Sequence, residues 1–124
     1  MIKCEEINVI EEIFKKNVSK DFSGVNVPVA SNLDTFKSLD ESEKRIRLDL
    51  TLELGKENNT DLPFYYKAII SGLFDWADAE NTGTLHDLQL EGSQILYSFV
   101  RTYFCDALKK ANMTPVVLPP RNIV

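Results

Sequence analysis

The fold is decided by one stretch of the chain, Arg45-Ile46-Arg47-Leu48-Asp49-Leu50-Thr51-Leu52-Glu53-Leu54. Every even position in this stretch is Ile or Leu, and every odd position is charged or Thr. A period of two over this length is typical of an antiparallel strand with one buried face and one solvated face. Gly55 and the polar residues 56–60, followed by Asp61-Leu62-Pro63, predict a loop that turns the chain back into a hairpin.

Residues 64–76, which follow that loop, allow two interpretations. Their even positions are nearly all apolar, as in a strand. Helical spacing is also present, at Tyr65, Ala68, Ile69, Gly72, Leu73 and Trp76. The aromatic content, the glycine within the segment and the preceding hairpin loop favour a strand. The side chains expected to form its core face are Phe64, Tyr66, Phe74 and Trp76.

The opposite face of this strand is also apolar, because Tyr65, Ile69 and Leu73 alternate along it. A strand that is apolar on both faces needs a second cover, and a chain of 124 residues has no spare helix to provide one. We therefore expect another subunit or a bound polypeptide to cover this face. Tyr65, Ile69 and Leu73 are the predicted client-binding residues.

Residues 88–111 predict one long helix. Apolar doublets recur every four residues and form a broad stripe: Ile95-Leu96, Phe99-Val100, Tyr103-Phe104 and Ala107-Leu108. Asn112 is a candidate left-handed cap. The stripe and the two-faced strand present more apolar surface than one sheet can cover, so we predict a homodimer or homotetramer. The predicted interface residues are Ile95, Phe99, Val100 and Tyr103.

The remaining segments complete an α+β fold of one domain, residues 1–124. Residues 10–19 predict a strand, and residues 25–35 predict an edge strand because Pro28 cannot donate to a central ladder. Residues 116–124 are apolar and contain two prolines, so we expect an extended tail docked on the sheet or helix. The prediction is a four-stranded antiparallel sheet, then one long C-terminal helix, then the docked tail.

Composition narrows the classes of partner. The formal net charge is −5, which argues against nucleic acid and anionic membranes as partners, since both require concentrated Lys and Arg. No apolar run approaches the roughly 20 residues of a membrane helix, and the acidic start of the chain does not resemble a signal peptide. Cys4 and Cys105 lie far apart and match no metal or redox spacing. We expect reduced thiols and a cytoplasmic location.

No residue pattern predicts catalysis or a cofactor. The single histidine, His86, lies in a polar segment without a nucleophile signature, and the five glycines form no phosphate loop. Residues 78–89 imitate an EF-hand loop, with acids at the first and third positions, Asp78 and Glu80. The bidentate Glu of the twelfth position is replaced by Gln89, which favours an acidic turn before the helix over a metal site. A small calcium-binding module remains the alternative function.

Four segments, in order along the chain, resemble the SecB protein-export chaperone family. Gln94-Ile95-Leu96-Tyr97-Ser98-Phe99-Val100-Arg101 resembles the family's helix segment Asn-Ile-Leu-Phe-Pro-Tyr-Ala-Arg, and residues 115–123 resemble its Pro-x-Leu-x-Leu-Ala-Pro-x-Asn-Phe ending. Gly72-Leu73-Phe74 is similar to Gly-Ile-Phe of the family's last strand. Ile13-Phe14-Lys15-Lys16-Asn17-Val18-Ser19 is similar to Ile-Tyr-Thr-Lys-Asp-Ile-Ser of its first strand.

The resemblance implies dimers that pair across the first strand, and a tetramer with the long helices between sheets. It also implies a holdase that binds unfolded precursor polypeptides without ATP and passes them to the SecA motor during export. Two positions that are acidic in the family and serve SecA docking are Asn17 and Lys67 here, and only Asp21 keeps the charge. SecA binding is therefore not carried over to this chain. Other roles for the same fold are stabilisation of a dedicated partner, such as an antitoxin, and an oligomeric scaffold.

Overall fold

A computed structural model describes residues 2–17, 27–37, 44–58, 61–76 and 85–113. Within these residues the elements are β1 (Lys3–Lys16), β2 (Val29–Lys37), β3 (Arg45–Leu54), β4 (Phe64–Asp75) and α1 (Leu85–Lys110). All strand pairs are antiparallel, in the order β1-β4-β3-β2. The helix packs on one face of the sheet, mainly over β3 and β4. The predicted α+β architecture of four strands and one helix is confirmed.

The alternation in β3 places its aliphatic side chains in the core, as predicted. Ile46, Leu48, Leu50, Leu52 and Leu54 are each at most 2% exposed, whereas the charged residues between them lie on the other face. The hairpin to β4 is also confirmed. Gly55, the first residue after β3, has a φ of 81°, a conformation that a residue with a Cβ rarely adopts. Its amide donates to the Pro28 carbonyl.

Residues 64–76 form a strand for nearly their whole length, which decides between the two interpretations. On the inner face, which is the face toward α1, Tyr66, Ala68, Ile70 and Phe74 have no exposed area. Gly72 lies in the same row, and a Cβ there would come within 2.7 Å of the Phe74 ring and 2.8 Å of Leu96. The missing side chain therefore lets the helix approach the strand closely.

The helix begins at Leu85, three residues before the predicted start, and ends at Lys110. Its end is closed by the predicted left-handed residue, because Asn112 has a φ of 55°. The Asn112 amide donates to the Lys109 carbonyl, and the Met113 amide donates to the Leu108 carbonyl. This pair of hydrogen bonds is a Schellman motif, and Met113 packs against the core as that motif usually requires.

The prediction for β1 was wrong at its start, because the strand begins at Lys3 rather than at residue 10. Two irregularities, between Cys4 and Glu6 and between Val9 and Glu11, shift the register against β4. Each bulge changes which side chains face the helix, so the inward residues Cys4, Ile7, Val9, Glu12 and Phe14 do not alternate regularly. Because the alternation breaks twice, the sequence shows no continuous strand period there.

The prediction of an edge strand after Pro28 is confirmed, although β2 spans Val29–Lys37 and so begins and ends later than residues 25–35. Pro28 lies just before the strand, where no ladder hydrogen bond is required of it. The docked tail predicted for residues 116–124 lies outside the described residues. None of the described helices is long and apolar enough to cross a membrane.

Candidate functional site

The outer face of the sheet, which is the face away from α1, carries the three predicted client-binding residues on the central strand β4. Ile69 is paired with Glu11 of β1 and Thr51 of β3. Leu73 is paired with Glu6 of β1 and Arg47 of β3. Both side chains are half-buried, although no helix of the described chain packs on this face. Their apolar surface is therefore flanked, and not covered, by polar side chains of the neighbouring strands.

Tyr65 lies on the same face but offers little surface, because it is only 6% exposed. Its hydroxyl donates to Glu53 Oε2 at 2.6 Å. Burial, followed by the hydrogen bond to Glu53, raises the pKa of Tyr65, which further favours the protonated hydroxyl that donates this hydrogen bond. Within the predicted set, Ile69 and Leu73 hold the accessible apolar area.

Ion pairs surround these two side chains. Lys67 Nζ lies 3.7 Å from Glu11 Oε1. Arg47 Nε lies 3.2 Å from Asp49 Oδ1 without hydrogen-bond geometry, and Arg47 Nη2 donates to Asp49 Oδ2 at 3.3 Å. The Arg47 guanidinium also lies 4.1 Å from the ring centroid of Phe36, which is 46% exposed. The outer face is thus a mixture of apolar patches and paired charges.

Phe36 was missed by sequence reasoning because the predicted strand stopped at residue 35. Extended to Lys37, β2 places Phe36 opposite Arg47, in the same row of the outer face as Leu73. Two exposed apolar residues of β1 were missed as well: Val9, which faces inward and is 45% exposed, and Ile10, which is 60% exposed. Ile10 lies at a bulge, so no periodic signal marks it.

The predicted interface residues on α1 differ in what they can contact. Phe99 is 42% exposed, and Ile95 and Tyr103 are half-buried. Val100 has no exposed area and packs in the core of its own subunit. Because the helix stripe follows every fourth residue, Leu96, Val100 and Phe104 face the sheet, and only the flanking side chains have surface for a partner.

A cleft between the C-terminal half of α1 and the inner face of β1 forms a second concave surface, here called the α1–β1 cleft. Its volume is about 520 Å³, and its lining residues are Glu12, Phe14, Tyr103, Asp106, Ala107, Lys110 and Ala111. The buried Tyr66 donates its hydroxyl to Glu12 Oε2 at 2.6 Å. Burial, with the Glu12 carboxylate as the second cause, raises the pKa of Tyr66. No sequence pattern indicates this cleft, because the bulge before Glu11 obscures that Glu12 faces inward.

The calcium-like segment is described only at its end. Asp78 and Glu80 lie outside the described residues, whereas Gln89 is helical and its Nε2 donates to Thr35 Oγ1 at 2.8 Å. No group of three or more His, Cys, Asp or Glu side chains suited to a metal ion occurs in the described part of the chain. His86 is exposed in the first turn of α1.

Of the positions compared with the SecA-docking residues, two are described. Lys67 pairs with Glu11 on the outer face. The side-chain amide of Asn17 donates to the Leu62 carbonyl at 3.1 Å, and so ties the end of β1 to the β3–β4 connection. Asp21 lies outside the described residues. Neither described position carries a carboxylate side chain.

The SecB-like chaperone Rv1957 of Mycobacterium tuberculosis, solved in complex with a ChAD peptide from the Rv1956 HigA1 antitoxin, superposes with a TM-score of 0.70. The alignment covers 98% of this chain and 88% of that one, at 13% sequence identity. The fold is SecB-like. A Streptococcus agalactiae protein of unknown function also matches, with a TM-score of 0.56 and 12% identity over 96% of this chain and 97% of the other. No protein-family model and no curated protein matches the sequence.

Proposed function

We propose that this chain is a SecB-like chaperone that holds extended apolar polypeptide by non-covalent contacts. The fold it shares with Rv1957 supports this role, since that protein was solved with a peptide bound. The partner class is an unfolded or precursor polypeptide in the cytoplasm, with protein export as one setting for it. The antitoxin origin of the Rv1957 peptide favours a second setting, in which the chain stabilises one dedicated partner protein.

The observation that carries the proposal is the partial exposure of Ile69 and Leu73 on β4, the strand between β1 and β3. Strands on both sides already satisfy the backbone of β4, so only its side chains can contact a client. Complete burial of an aliphatic side chain contributes about 1.5–3 kcal/mol of favourable free energy. Ile69 and Leu73 are already half-buried, so a bound client gains only the part that comes from covering their remaining exposed surface. Several such weak contacts suit a holdase that must release its client.

The proposal includes assembly into a homodimer or homotetramer. β1 is an edge strand of the described sheet, and it is the strand across which the SecB resemblance implies dimers. Phe99, Ile95 and Tyr103 provide apolar surface on α1 for a helix-mediated contact. Sedimentation velocity at roughly tens of micromolar should show a dimer or tetramer, and a monomer would remove this part of the proposal.

Aggregation of an unfolded model protein, followed by light scattering, tests the function. The wild-type chain should suppress aggregation without nucleotide. The double variant Ile69→Ser/Leu73→Ser should suppress it much less, because the client-facing apolar area is lost. Val29→Ser is the matched control, since Val29 is an exposed apolar residue on the inner face of β2. Equal suppression by wild type and the double variant would show that the outer face does not bind clients.

A further inference from the structure

We infer that Ser71 and Asp49, on the outer face of the sheet, bind a glutamine side chain of the held polypeptide. This inference rests on the proposed function, because it specifies which sequence the outer face holds. Ser71 lies on β4 midway between Ile69 and Leu73 and faces the same way. Asp49 of β3 is its direct cross-strand partner. These two residues are here called the Ser71–Asp49 site.

The Ser71 hydroxyl is an unpaired donor at the centre of the outer face. Ser71 is only 7% exposed, and it is one of two buried polar residues in the described part of the chain. The other, Ser93, donates its hydroxyl to the Leu90 carbonyl at 2.9 Å. Ser71 has no hydrogen-bond partner among the described residues. Because buried polar groups are normally hydrogen-bonded, an unpaired one on a binding face indicates a partner from outside the chain.

Asp49 places an unpaired acceptor beside this donor. Its Oδ1 atom is buried and accepts no hydrogen bond from the described residues. Arg47 Nε lies 3.2 Å away without hydrogen-bond geometry, whereas Arg47 Nη2 donates to Oδ2. Directly opposed side chains have Cβ atoms about 4.5–5.5 Å apart, so one ligand group can reach both residues. Arg47 is exposed, so its side chain can move to admit that group while it keeps the hydrogen bond to Oδ2.

The charges around the site select a neutral ligand. Arg47 already offsets the charge of Asp49, so a second cation would approach a guanidinium group. An anion would approach both Asp49 and Asp34, its cross-strand partner on β2. An apolar side chain would leave the Ser71 hydroxyl and Asp49 Oδ1 buried and unpaired, which is unfavourable. A carboxamide satisfies both groups, because its oxygen accepts from Ser71 and its NH₂ donates to Asp49.

Strand geometry gives the position and the length of this side chain. Ile69 and Leu73 are four residues apart on β4, which is about 13 Å of strand. An extended polypeptide along β4 therefore places apolar residues i and i+4 over them, and residue i+2 over Ser71. Layers packed face to face lie about 10 Å apart, and serine is short, so the facing side chain must be long. Glutamine has a longer reach than asparagine, serine or threonine, and the expected pattern is apolar-x-Gln-x-apolar.

Fluorescence anisotropy with four fluorescein-labelled peptides tests this pattern. The Gln peptide is Ser-Gly-Val-Leu-Thr-Gln-Thr-Leu-Val-Gly-Ser. The Met peptide and the Lys peptide carry Met or Lys in place of Gln, and the shifted peptide exchanges Gln with the Thr before it. The wild type should bind the Gln peptide about tenfold more tightly than each of the others, because only that peptide forms both hydrogen bonds without a second cation.

Three variants assign the preference to the site. Ser71→Ala removes one hydrogen bond and opens no cavity, so the preference for the Gln peptide over the Met peptide should fall to about threefold. Its affinity for the Met peptide should not fall. Asp49→Asn keeps the shape but weakens the acceptor, so the preference should fall in the same way. Asp34→Asn is the matched control and should keep the tenfold preference, because Asp34 lies in the same row but outside the site. Urea denaturation measures the stability of each variant.

Five results would overturn the inference. Equal binding of the Gln and Met peptides by the wild type would show that the site does not recognise a carboxamide. Tightest binding of the Lys peptide would make it a site for a cation. If Ser71→Ala keeps the peptide preference, a loss of stability would assign the hydroxyl a structural role, and a change in sedimentation would make the site a contact between copies of the chain. Failure to bind any of the four peptides while aggregation is still suppressed would refute the pattern alone. Failure in both assays would instead refute the proposed function.

Discussion

Ile69 and Ile70 are adjacent residues of the same type on opposite faces of β4, so truncating each to alanine compares the two faces directly. Ile70 has no exposed area, whereas Ile69 is half-buried. Each truncation removes three carbon atoms, and at about 0.8 kcal/mol per buried group the transfer contribution for Ile70 is about 2.4 kcal/mol. The cavity left under α1 adds to it, giving about 3–4 kcal/mol in all.

The same truncation at Ile69 should cost about 1–1.5 kcal/mol, since part of its surface is already in water and no enclosed cavity forms. The loss of strand propensity is common to both variants and cancels in the comparison. A difference of about 2 kcal/mol corresponds to about 8 °C in melting temperature for a domain of 124 residues.

Urea denaturation followed by fluorescence of the single tryptophan, Trp76, measures both variants. All samples are compared at one protein concentration, because association would add to apparent stability. Equal losses for the two variants, or a larger loss for Ile69→Ala, would refute the assignment of faces. Ile69 could then not serve as an accessible contact for a client.

Three further predictions concern the helix and the calcium-like segment. Gly92→Ala should lower the melting temperature because the new Cβ would overlap Leu48 Cδ1 in the core, which outweighs the helix-propensity gain of about 1 kcal/mol. An unchanged or raised melting temperature would contradict this close approach of helix and strand. Asn112→Ala should lower the free energy of unfolding by about 1 kcal/mol, measured by thermal melting, whereas Asn112→Gly should not, because residue 112 has a positive φ. Equal losses of stability for the two variants would contradict the cap. Millimolar calcium should leave the melting temperature unchanged, because Gln89 replaces the bidentate Glu of a calcium loop. A rise of several degrees in the melting temperature would favour the calcium-binding alternative.

Sequence periodicity predicted the elements whose alternation is uninterrupted. β3 pairs with β2 and β4 in continuous register, so its alternating leucines mark the inner face without ambiguity. The doublets of α1 and the cap at Asn112 were equally visible, because both depend on local spacing and local backbone conformation. These features reflect short-range physics that a single sequence carries.

The start of β1 and the α1–β1 cleft could not be predicted in the same way. A bulge changes the face of every residue beyond it, and two bulges make the inward set of β1 irregular. The Tyr66–Glu12 hydrogen bond joins residues 54 positions apart, so no local pattern indicates it. Similarly, the alternation of Tyr65 with Ile69 and Leu73 predicted a shared face but not the burial of Tyr65 by its neighbours.

Methyl NMR of isoleucine-labelled protein tests the central claim most directly. A permanently unfolded, reduced and carboxymethylated protein is added, and the Ile69 and Ile70 methyl signals report the two faces of β4 separately. If extended apolar polypeptide is held on the outer face, the Ile69 signal should shift or broaden in proportion to the added polypeptide, while Ile70 stays unchanged. An unchanged Ile69 signal, with shifts confined to other isoleucines or absent altogether, would contradict the account.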